Sequence, residues 1–227
     1  QQTATARTLR SQGNAAYRLG KVEKALTDLQ RSRQLYQRYA KENPTDVDAA
    51  IEDAFADFYY GITHYYEGDH ELAKVPVEQY ARKVSDLYAR APDHPVLFTE
   101  SVYAPVAVLS VLNAASDRLS EELENATKTA VAAANSAIRI APDDREIIDA
   151  YNLAMDHSAD AYMKSCRVFD ALPLRQNAVA NARRALHLDP KNREYKDELA
   201  NVLTAQGDFL VDTLSISAGI DSYLEAI

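Results

Sequence analysis

Residues 13–25 read GNAAYRLGKVEKA, and residues 61–73 read GITHYYEGDHELA. The two stretches share Gly, Tyr, Gly and Ala at a constant offset of 48 residues, and Pro44 recurs at that offset as Pro92. In the second half of the chain the same offset relates Ala130, Ala137 and Pro142 to Ala178, Ala185 and Pro190. A constant internal period indicates a repeat protein, in which each unit packs on its neighbours.

Each repeat is predicted to be a pair of antiparallel helices. The prolines end one helix, because the residue before a proline avoids the α conformation, and an adjacent Thr or Asp can cap the next helix. Gly20 and Gly68 then mark the turn inside each hairpin. The chain is therefore predicted to be all-α, as a single repeat domain over 1–227. Its approximate repeats are 1–44, 45–92, 93–142 and 143–190, with a partial repeat over 191–227.

The segment 13–26 resembles the end of helix A, the turn and the start of helix B of the tetratricopeptide repeat (TPR) family. Residues 184–190, RALHLDP, resemble the end of its helix B. The resemblance implies a right-handed α-solenoid whose concave groove binds protein or peptide partners. The family repeat has about 34 residues, so each helix here is about two turns longer.

The resemblance also assigns packing positions. Gly13, Gly61, Cys166 and Gly207 match the small residue at the close helix contact, which predicts a buried, structural Cys166. The alanines that match the helix-B position are Ala25, Ala73, Ala130 and Ala178. The long repeat is similar to arrays attached to bacterial Ser/Thr kinases and STAND-type ATPases, which implies a signalling role within a larger protein.

Composition and charge exclude several classes of function. The net charge of −9 and pI of about 5.1 disfavour nucleic acid and anionic membranes as partners. The most apolar window, Val102 to Ala115, is 14 residues long, shorter than the ~20 residues of a membrane span, which predicts a buried helix. No leader pattern precedes it, which predicts a cytoplasmic protein or one whose signal peptide has been cleaved.

The sequence contains no P-loop, GxGxxG or nucleophile elbow, so we expect a non-catalytic protein without a cofactor. His64 and His70 are six residues apart across Gly68, which does not place both on one helix face. A solvated turn is therefore expected there in place of a metal site.

Ten residues are predicted to contact a partner. Arg10, Asn14 and Arg18 would be polar anchors on the first helix A. The second helix A carries an aromatic stripe at three- and four-residue spacing, which the family register directs into the groove. The stripe could equally be core that the longer helices need, and Asp57 occupies the usually buried aromatic position. The remaining candidates are Phe55, Phe58, Ile62, Tyr65 and Tyr66 in the stripe, and Met163 and Arg167 in the fourth repeat.

A second possible function is a self-associating array. The C-terminal segment ends on an apolar set formed by Ile216, Ile220, Tyr223, Leu224 and Ile227. A solenoid usually ends on a polar capping helix, so an apolar end predicts a homodimer through this surface.

Overall fold

The computed structural model describes residues 2–213 and 215–226, which form ten α-helices and no strand. The prediction of an all-α protein is confirmed. The chain divides into two compact units, residues 1–115 and residues 116–227. Each unit is an α-solenoid segment of antiparallel helices, because each helix packs chiefly against its neighbours in sequence.

The helices are about twenty residues long, apart from the first and the last. Unit 1 contains α1 (Gln2–Arg18), α2 (Val22–Glu42), α3 (Val47–Tyr66), α4 (His70–Arg90) and α5 (Pro95–Ala115). Unit 2 contains α6 (Glu121–Ile140), α7 (Arg145–Met163), α8 (Val168–Leu188), α9 (Arg193–Thr213) and α10 (Ile216–Ala226).

The four repeat-boundary prolines, Pro44, Pro92, Pro142 and Pro190, lie in the turns where the sequence predicts them, whereas Pro76, Pro105 and Pro173 lie inside helices. Helix α2 ends two residues before Pro44, and Asp46 caps α3 by accepting a hydrogen bond from the Ala49 amide at 2.9 Å. Asp144 caps α7 in the same way, with the Ile147 amide at 3.1 Å. These caps satisfy amides that the first turn of a helix leaves without partners.

The turns inside the hairpins, which join the two helices of one repeat, show where the predicted register is wrong. Gly20 and Gly68 adopt left-handed φ angles of +70° and +83°, and Cys166 adopts +55° in the corresponding turn. Cys166 is exposed and is not the buried packing residue that we expected. The small residue equivalent to Gly61 is Ala159, which is fully buried.

The predicted helix-B alanine of the fourth repeat is displaced by seven residues, as Cys166 is from Ala159. Ala25 and Ala73 lie five residues after their glycines, and the residue five after Cys166 is Ala171. Ala178 is buried as well, but it lies seven residues further along α8 than Ala171; Ala130 is buried on α6. Seven residues are about two turns, so the shifted residues stay on the same helix face.

Helix α5 is longer than the apolar window that predicts it. It has 21 residues and, by length and composition, would be able to cross a membrane, a test that a buried core helix also passes. Its Val102, Leu109 and Leu112 are buried within unit 1. The length argument against a membrane span is therefore wrong, and packing explains the apolar composition of α5.

Candidate functional site

The first predicted anchor, Arg10, has partners inside unit 1. Its guanidinium pairs with Glu52 of α3 and lies 5.3 Å from the centroid of the Tyr59 ring. Arg7 approaches the same carboxylate at 3.4 Å. The charge of Arg10 is thus already neutralised, and the pair joins α1 to α3.

Most of the aromatic stripe supports the core of unit 1. Phe55 and Phe58 are partly buried, and the Phe58 ring lies 5.0 Å from that of Tyr80. Both pack against a buried cluster of Ala54, Tyr80, Val84 and Ala104. Tyr65 packs against a second buried cluster formed by Ala73, Val77 and Val111. The longer helices therefore use these rings for packing.

The end of the stripe is open to solvent. Tyr66 is 65% exposed, and its ring lies 6.5 Å from that of Tyr17 on α1 in a stacked arrangement. Ile62 and Asn14 are half-buried, and Arg18 is exposed. Within the predicted stripe, Tyr66 is thus the side chain most exposed to solvent.

Tyr66 is one of four large apolar side chains that are exposed near the two glycine turns of unit 1. They are Leu19, Tyr66, Leu72 and Val75, which we call the turn-end patch. Leu72 and Val75 are three residues apart in the first turns of α4, so they share one helix face. Exposed apolar side chains near one end of a helical unit are candidates for an interaction surface.

The most buried charge in unit 1 is Asp57. Its carboxylate is fully buried and pairs with Arg33 of α2 and, at 2.6 Å, with Lys83 of α4. Lys83 also lies 2.5 Å from Asp53, and burial raises the pKa of Asp53 above its ordinary value against the opposing effect of Lys83. These ion pairs connect α2, α3 and α4.

Met163 lies in an acidic cavity of unit 2 that the sequence did not predict. The cavity has a volume of about 340 Å³, and α7, α8 and α9 line it. Arg175 is the buried basic residue of this cavity, and its guanidinium pairs with Asp156 and Asp160. The lining residues are Asp156, Asp160, Met163, Arg175, Ala205, Asp208, Phe209, Asp212 and Thr213. Four carboxylates around one guanidinium make this site strongly acidic.

Arg167 does not line this cavity. Its guanidinium lies 4.6 Å from the centroid of the Tyr162 ring and pairs with Glu124 at 3.1 Å and Asp170 at 2.8 Å. These contacts secure the turn between α7 and α8 to α6. The structure therefore places Met163 and Arg167 in different surroundings within unit 2.

A second cavity, which we call the edge cavity, lies at the proline-turn end of unit 1. It has a volume of about 460 Å³ and is bordered by α1, α2, α3 and the start of α5. The lining residues are Thr3, Arg7, Tyr36, Tyr39, Asp46, Asp48, Ala49, Ile51, Glu52, Phe55, His94 and Val96. Of the predicted partner-binding residues, it includes Phe55.

Helix α10 leaves one apolar face open. Ile216, Ile220 and Leu224 recur every four residues and are 67%, 48% and 65% exposed. Tyr223 does not belong to this face, because its hydroxyl donates to Asp208 at 2.6 Å and its ring covers Gly207. Ile227, the last residue of the predicted apolar set, lies outside the described residues.

The histidine segment is only partly the solvated turn that we expected. His64 is buried, with its ring 4.8 Å from that of Tyr60, whereas Glu67 and Asp69 are exposed. Within residues 2–213 and 215–226, no three His, Cys, Asp or Glu side chains are grouped to hold a metal ion.

No protein-family model and no curated protein sequence matches the chain. Solved structures similar to it include TTC0263, a thermophilic TPR protein in Thermus thermophilus, with 18% identity and a TM-score of 0.48. That match covers 97% of this chain and 89% of the other. A MamA RS-1 ArsTM double mutant has 17% identity and a TM-score of 0.44, covering 98% and 92% of the two chains. At these values neither likeness assigns the chain to a family.

Proposed function

We propose that the chain is a non-catalytic protein-interaction module of tetratricopeptide-like hairpins, and that unit 1 binds a peptide or protein partner beside Tyr66. The proposal includes attachment to a bacterial signalling protein of the Ser/Thr kinase or STAND ATPase type and a cytoplasmic location. Nucleic acid and membranes are not expected partners, given the net charge of −9.

The turn-end patch is the observation that supports this proposal. Tyr66 offers apolar area and a hydroxyl at small entropic cost, and its stacking on Tyr17 restricts the ring before a partner arrives. Leu19, Leu72 and Val75 add apolar area at the same end of the unit. Burial of these side chains by a partner would remove them from water.

The test is affinity capture from the source organism's lysate with three forms of the chain, read by mass spectrometry. Tyr66→Ala combined with Leu72→Ser removes exposed atoms of the patch and leaves the core ring of Tyr65 in place. Ile140→Ser is the matched control, because Ile140 is 68% exposed on α6 in unit 2.

We expect a partner that the wild type and the Ile140→Ser chain retain and the double variant loses, while all three keep the same helical circular dichroism. Crosslinking from a photoreactive residue at position 66 should then label that partner. Equal capture by all three forms would overturn the assignment of the patch.

A second candidate function is self-association through α10. The open face formed by Ile216, Ile220 and Leu224 favours it, because a four-residue spacing presents one apolar stripe for a second helix. We expect Ile220→Asp combined with Leu224→Asp to convert a concentration-dependent dimer into a monomer in sedimentation analysis. Tyr223 is kept, since it packs inside the α9–α10 hairpin. A wild-type chain that stays monomeric at all concentrations would exclude this function.

A further inference from the structure

Charge is distributed unevenly along the chain. Residues 1–44, which contain α1 and α2, carry nine Lys and Arg side chains and three Asp and Glu, a net charge of +6. Residues 45–227 carry a net charge of −15. A segment whose charge is opposite to that of the rest of the chain indicates a surface for an oppositely charged partner, which here is anionic.

The positive charge that remains available for a partner lies along one face of α2. Arg31, Arg38 and Lys41 are exposed, and among the described residues they have no ion-pair or hydrogen-bond partner; we call them the α2 basic stripe. Arg31 and Arg38 are seven residues apart, so they share a helix face at a separation of about 10 Å. The exposed residues that lie between members of the stripe are Gln34 and Gln37, so no carboxylate interrupts it.

The opposite face of α2 fixes the orientation of the stripe. Ser32, which is adjacent to Arg31, is buried and donates a hydrogen bond to the Ala6 carbonyl at 2.8 Å. The guanidinium of Arg33 pairs with the buried Asp57. Because α2 cannot rotate without breaking these contacts, the stripe is held facing solvent, and a partner would order side chains without rearranging the backbone.

The corresponding helices of the later repeats present no such face. The three arginines of α8 each pair with a carboxylate within unit 2. On α4, the exposed Asp86 lies four residues from both Arg82 and Arg90, so that face carries charges of both signs. An exposed face of unneutralised positive charge therefore distinguishes α2 from α4 and α8.

An acidic protein segment suits the stripe better than nucleic acid or a membrane does. The stripe is about 15 Å long, and the rest of unit 1, residues 45–115, carries a net charge of −8. A polyanion or a charged membrane surface that extends beyond the stripe would be repelled there. A short segment avoids this repulsion, and its carboxylates can each accept two parallel hydrogen bonds from a guanidinium.

We propose that the α2 basic stripe binds an acidic segment of a partner protein, with one carboxylate on Arg31 and a second on Arg38. The inference rests on the proposed role of unit 1 as an interaction module, but it uses none of the residues of the turn-end patch. The two carboxylates would lie about 10 Å apart, which is the span of three residues in an extended segment or seven in a helix. Lys41 would add positive charge at one end of the segment.

The test is a fluorescence-anisotropy titration of the full chain into labelled peptides at low salt. The spaced peptide, acetyl-Glu-Ser-Thr-Glu-Ser-Thr-Glu-amide, places its carboxylates about 10 Å apart when extended. The clustered peptide, acetyl-Ser-Thr-Glu-Glu-Glu-Ser-Thr-amide, has the same charge with the acids adjacent. We expect weak, saturable binding of the spaced peptide and about threefold weaker binding of the clustered one, which loses one exposed ion pair. A spaced peptide with Lys in place of Glu should not bind.

Paired substitutions distinguish the stripe from general electrostatics. Arg31→Glu combined with Arg38→Glu should weaken binding about tenfold, because two exposed ion pairs become repulsive. Arg139→Glu combined with Lys196→Glu is the matched control, since it changes the net charge equally at exposed cations of unit 2. It should leave most of the affinity. Arg31→Lys combined with Arg38→Lys keeps the charge and should cost about twofold, through the lost bidentate hydrogen bonds.

Failure of the spaced peptide to bind at low salt would overturn the proposal, as would equal affinity for the two acidic peptides or equal weakening by the two charge-reversed pairs. Tighter binding of a short oligothymidylate, or of vesicles containing phosphatidylserine, would overturn it in favour of nucleic acid or a membrane.

Sedimentation analysis covers the remaining occupant, a second copy of the chain. A wild-type dimer that Arg31→Glu combined with Arg38→Glu dissolves would overturn the assignment to a partner protein, and we expect no such change. All variants should keep the helical circular dichroism of the wild type, because the substituted side chains are exposed. None of these results affects capture at the turn-end patch, so failure of the stripe and failure of the interaction module are distinguishable.

Discussion

The two units bury charge in opposite arrangements. In unit 1 the buried group is the carboxylate of Asp57, and the bases Arg33 and Lys83 lie nearer the surface. In unit 2 the buried group is the guanidinium of Arg175, and Asp156 and Asp160 are the more exposed partners. The two units therefore bury ion pairs of opposite polarity, at different positions of the hairpin, and the polarity sets the sign of the more exposed partners.

The units also differ at two small-residue positions. Unit 1 has Gly61 and Gly68 where unit 2 has Ala159 and Cys166. A Cβ atom at position 61 would lie 2.7 Å from a methyl group of Val77, whereas α7 accommodates the alanine at 159 with the side chain fully buried. The helices of unit 1 thus pack more closely at Gly61 than those of unit 2 do at Ala159. The backbone of unit 2 is strained at Cys166, where unit 1 has Gly68.

The largest expected effect follows from removing the buried carboxylate of unit 1. Asp57→Asn removes the acid that Arg33 and Lys83 share; Lys83 keeps Asp53, but Arg33 loses its carboxylate partner, and breaking a buried ion pair costs about 3 kcal/mol of unfolding free energy. Urea unfolding followed by circular dichroism measures it. Asp160→Asn in unit 2 should cost less, because Asp160 is half exposed and Asp156 still pairs with Arg175. Equal losses would show that polarity does not matter.

The next prediction concerns the close contact between α3 and α4 at Gly61. Gly61→Ala should lower the unfolding free energy by about 1 kcal/mol, because the overpacking cost against Val77 exceeds the gain in helix propensity. The reverse change, Ala159→Gly, should also destabilise, through the flexible glycine and the lost methyl packing. Thermal unfolding of both variants checks the pair. A more stable Gly61→Ala chain would mean that α4 moves aside without cost.

The turn of unit 2 should become more stable when it is made like unit 1. Cys166→Gly relieves a left-handed backbone that side chains with a Cβ disfavour, which is worth about 1 kcal/mol. Gly68→Ala should destabilise by a similar amount. Rapid labelling of wild-type Cys166 with iodoacetamide would verify its exposure. A less stable Cys166→Gly chain would indicate that the thiol makes a contact worth more than the strain.

The smallest effect is a pH dependence in unit 2, because the Asp160 side chain is half exposed and solvent screens its interactions. Burial raises the pKa of Asp160 to about 6, so the folded chain holds this proton more tightly than the unfolded chain does. The contribution of Asp160 to stability therefore falls as the pH rises from about 4 through 6. The stability of Asp160→Asn relative to wild type should increase between pH 4.5 and 7.5 in urea unfolding. A decrease would mean that the ion pair with Arg175 outweighs the burial of Asp160.

Much of the fold could be predicted, but not its register in every repeat. Pro44, Gly20 and Gly68 act through their own backbone preferences, so the sequence locates their turns directly. The assignment of Cys166 to a packing position was wrong by seven residues, from Ala159. Because seven residues preserve the helix face, the apolar pattern does not distinguish the two registers.

The candidate site was less predictable than the fold. Arg10 and Glu52 are 42 residues apart, and the partners of Asp57 lie 24 and 26 residues away on two other helices. No local pattern connects such pairs. The aromatic stripe repeats in three- and four-residue steps as far as Tyr65, and no feature of that pattern indicates that packing partly covers Phe58 and leaves Tyr66 exposed.

The sequence by itself determined the helical class, the hairpins and their proline turns, because caps, glycines and prolines act within a few residues of chain. Only the tertiary structure decided which charges are neutralised, which rings are buried and where the cavities lie. Those properties depend on side chains that different helices bring together, and they follow from packing across the unit.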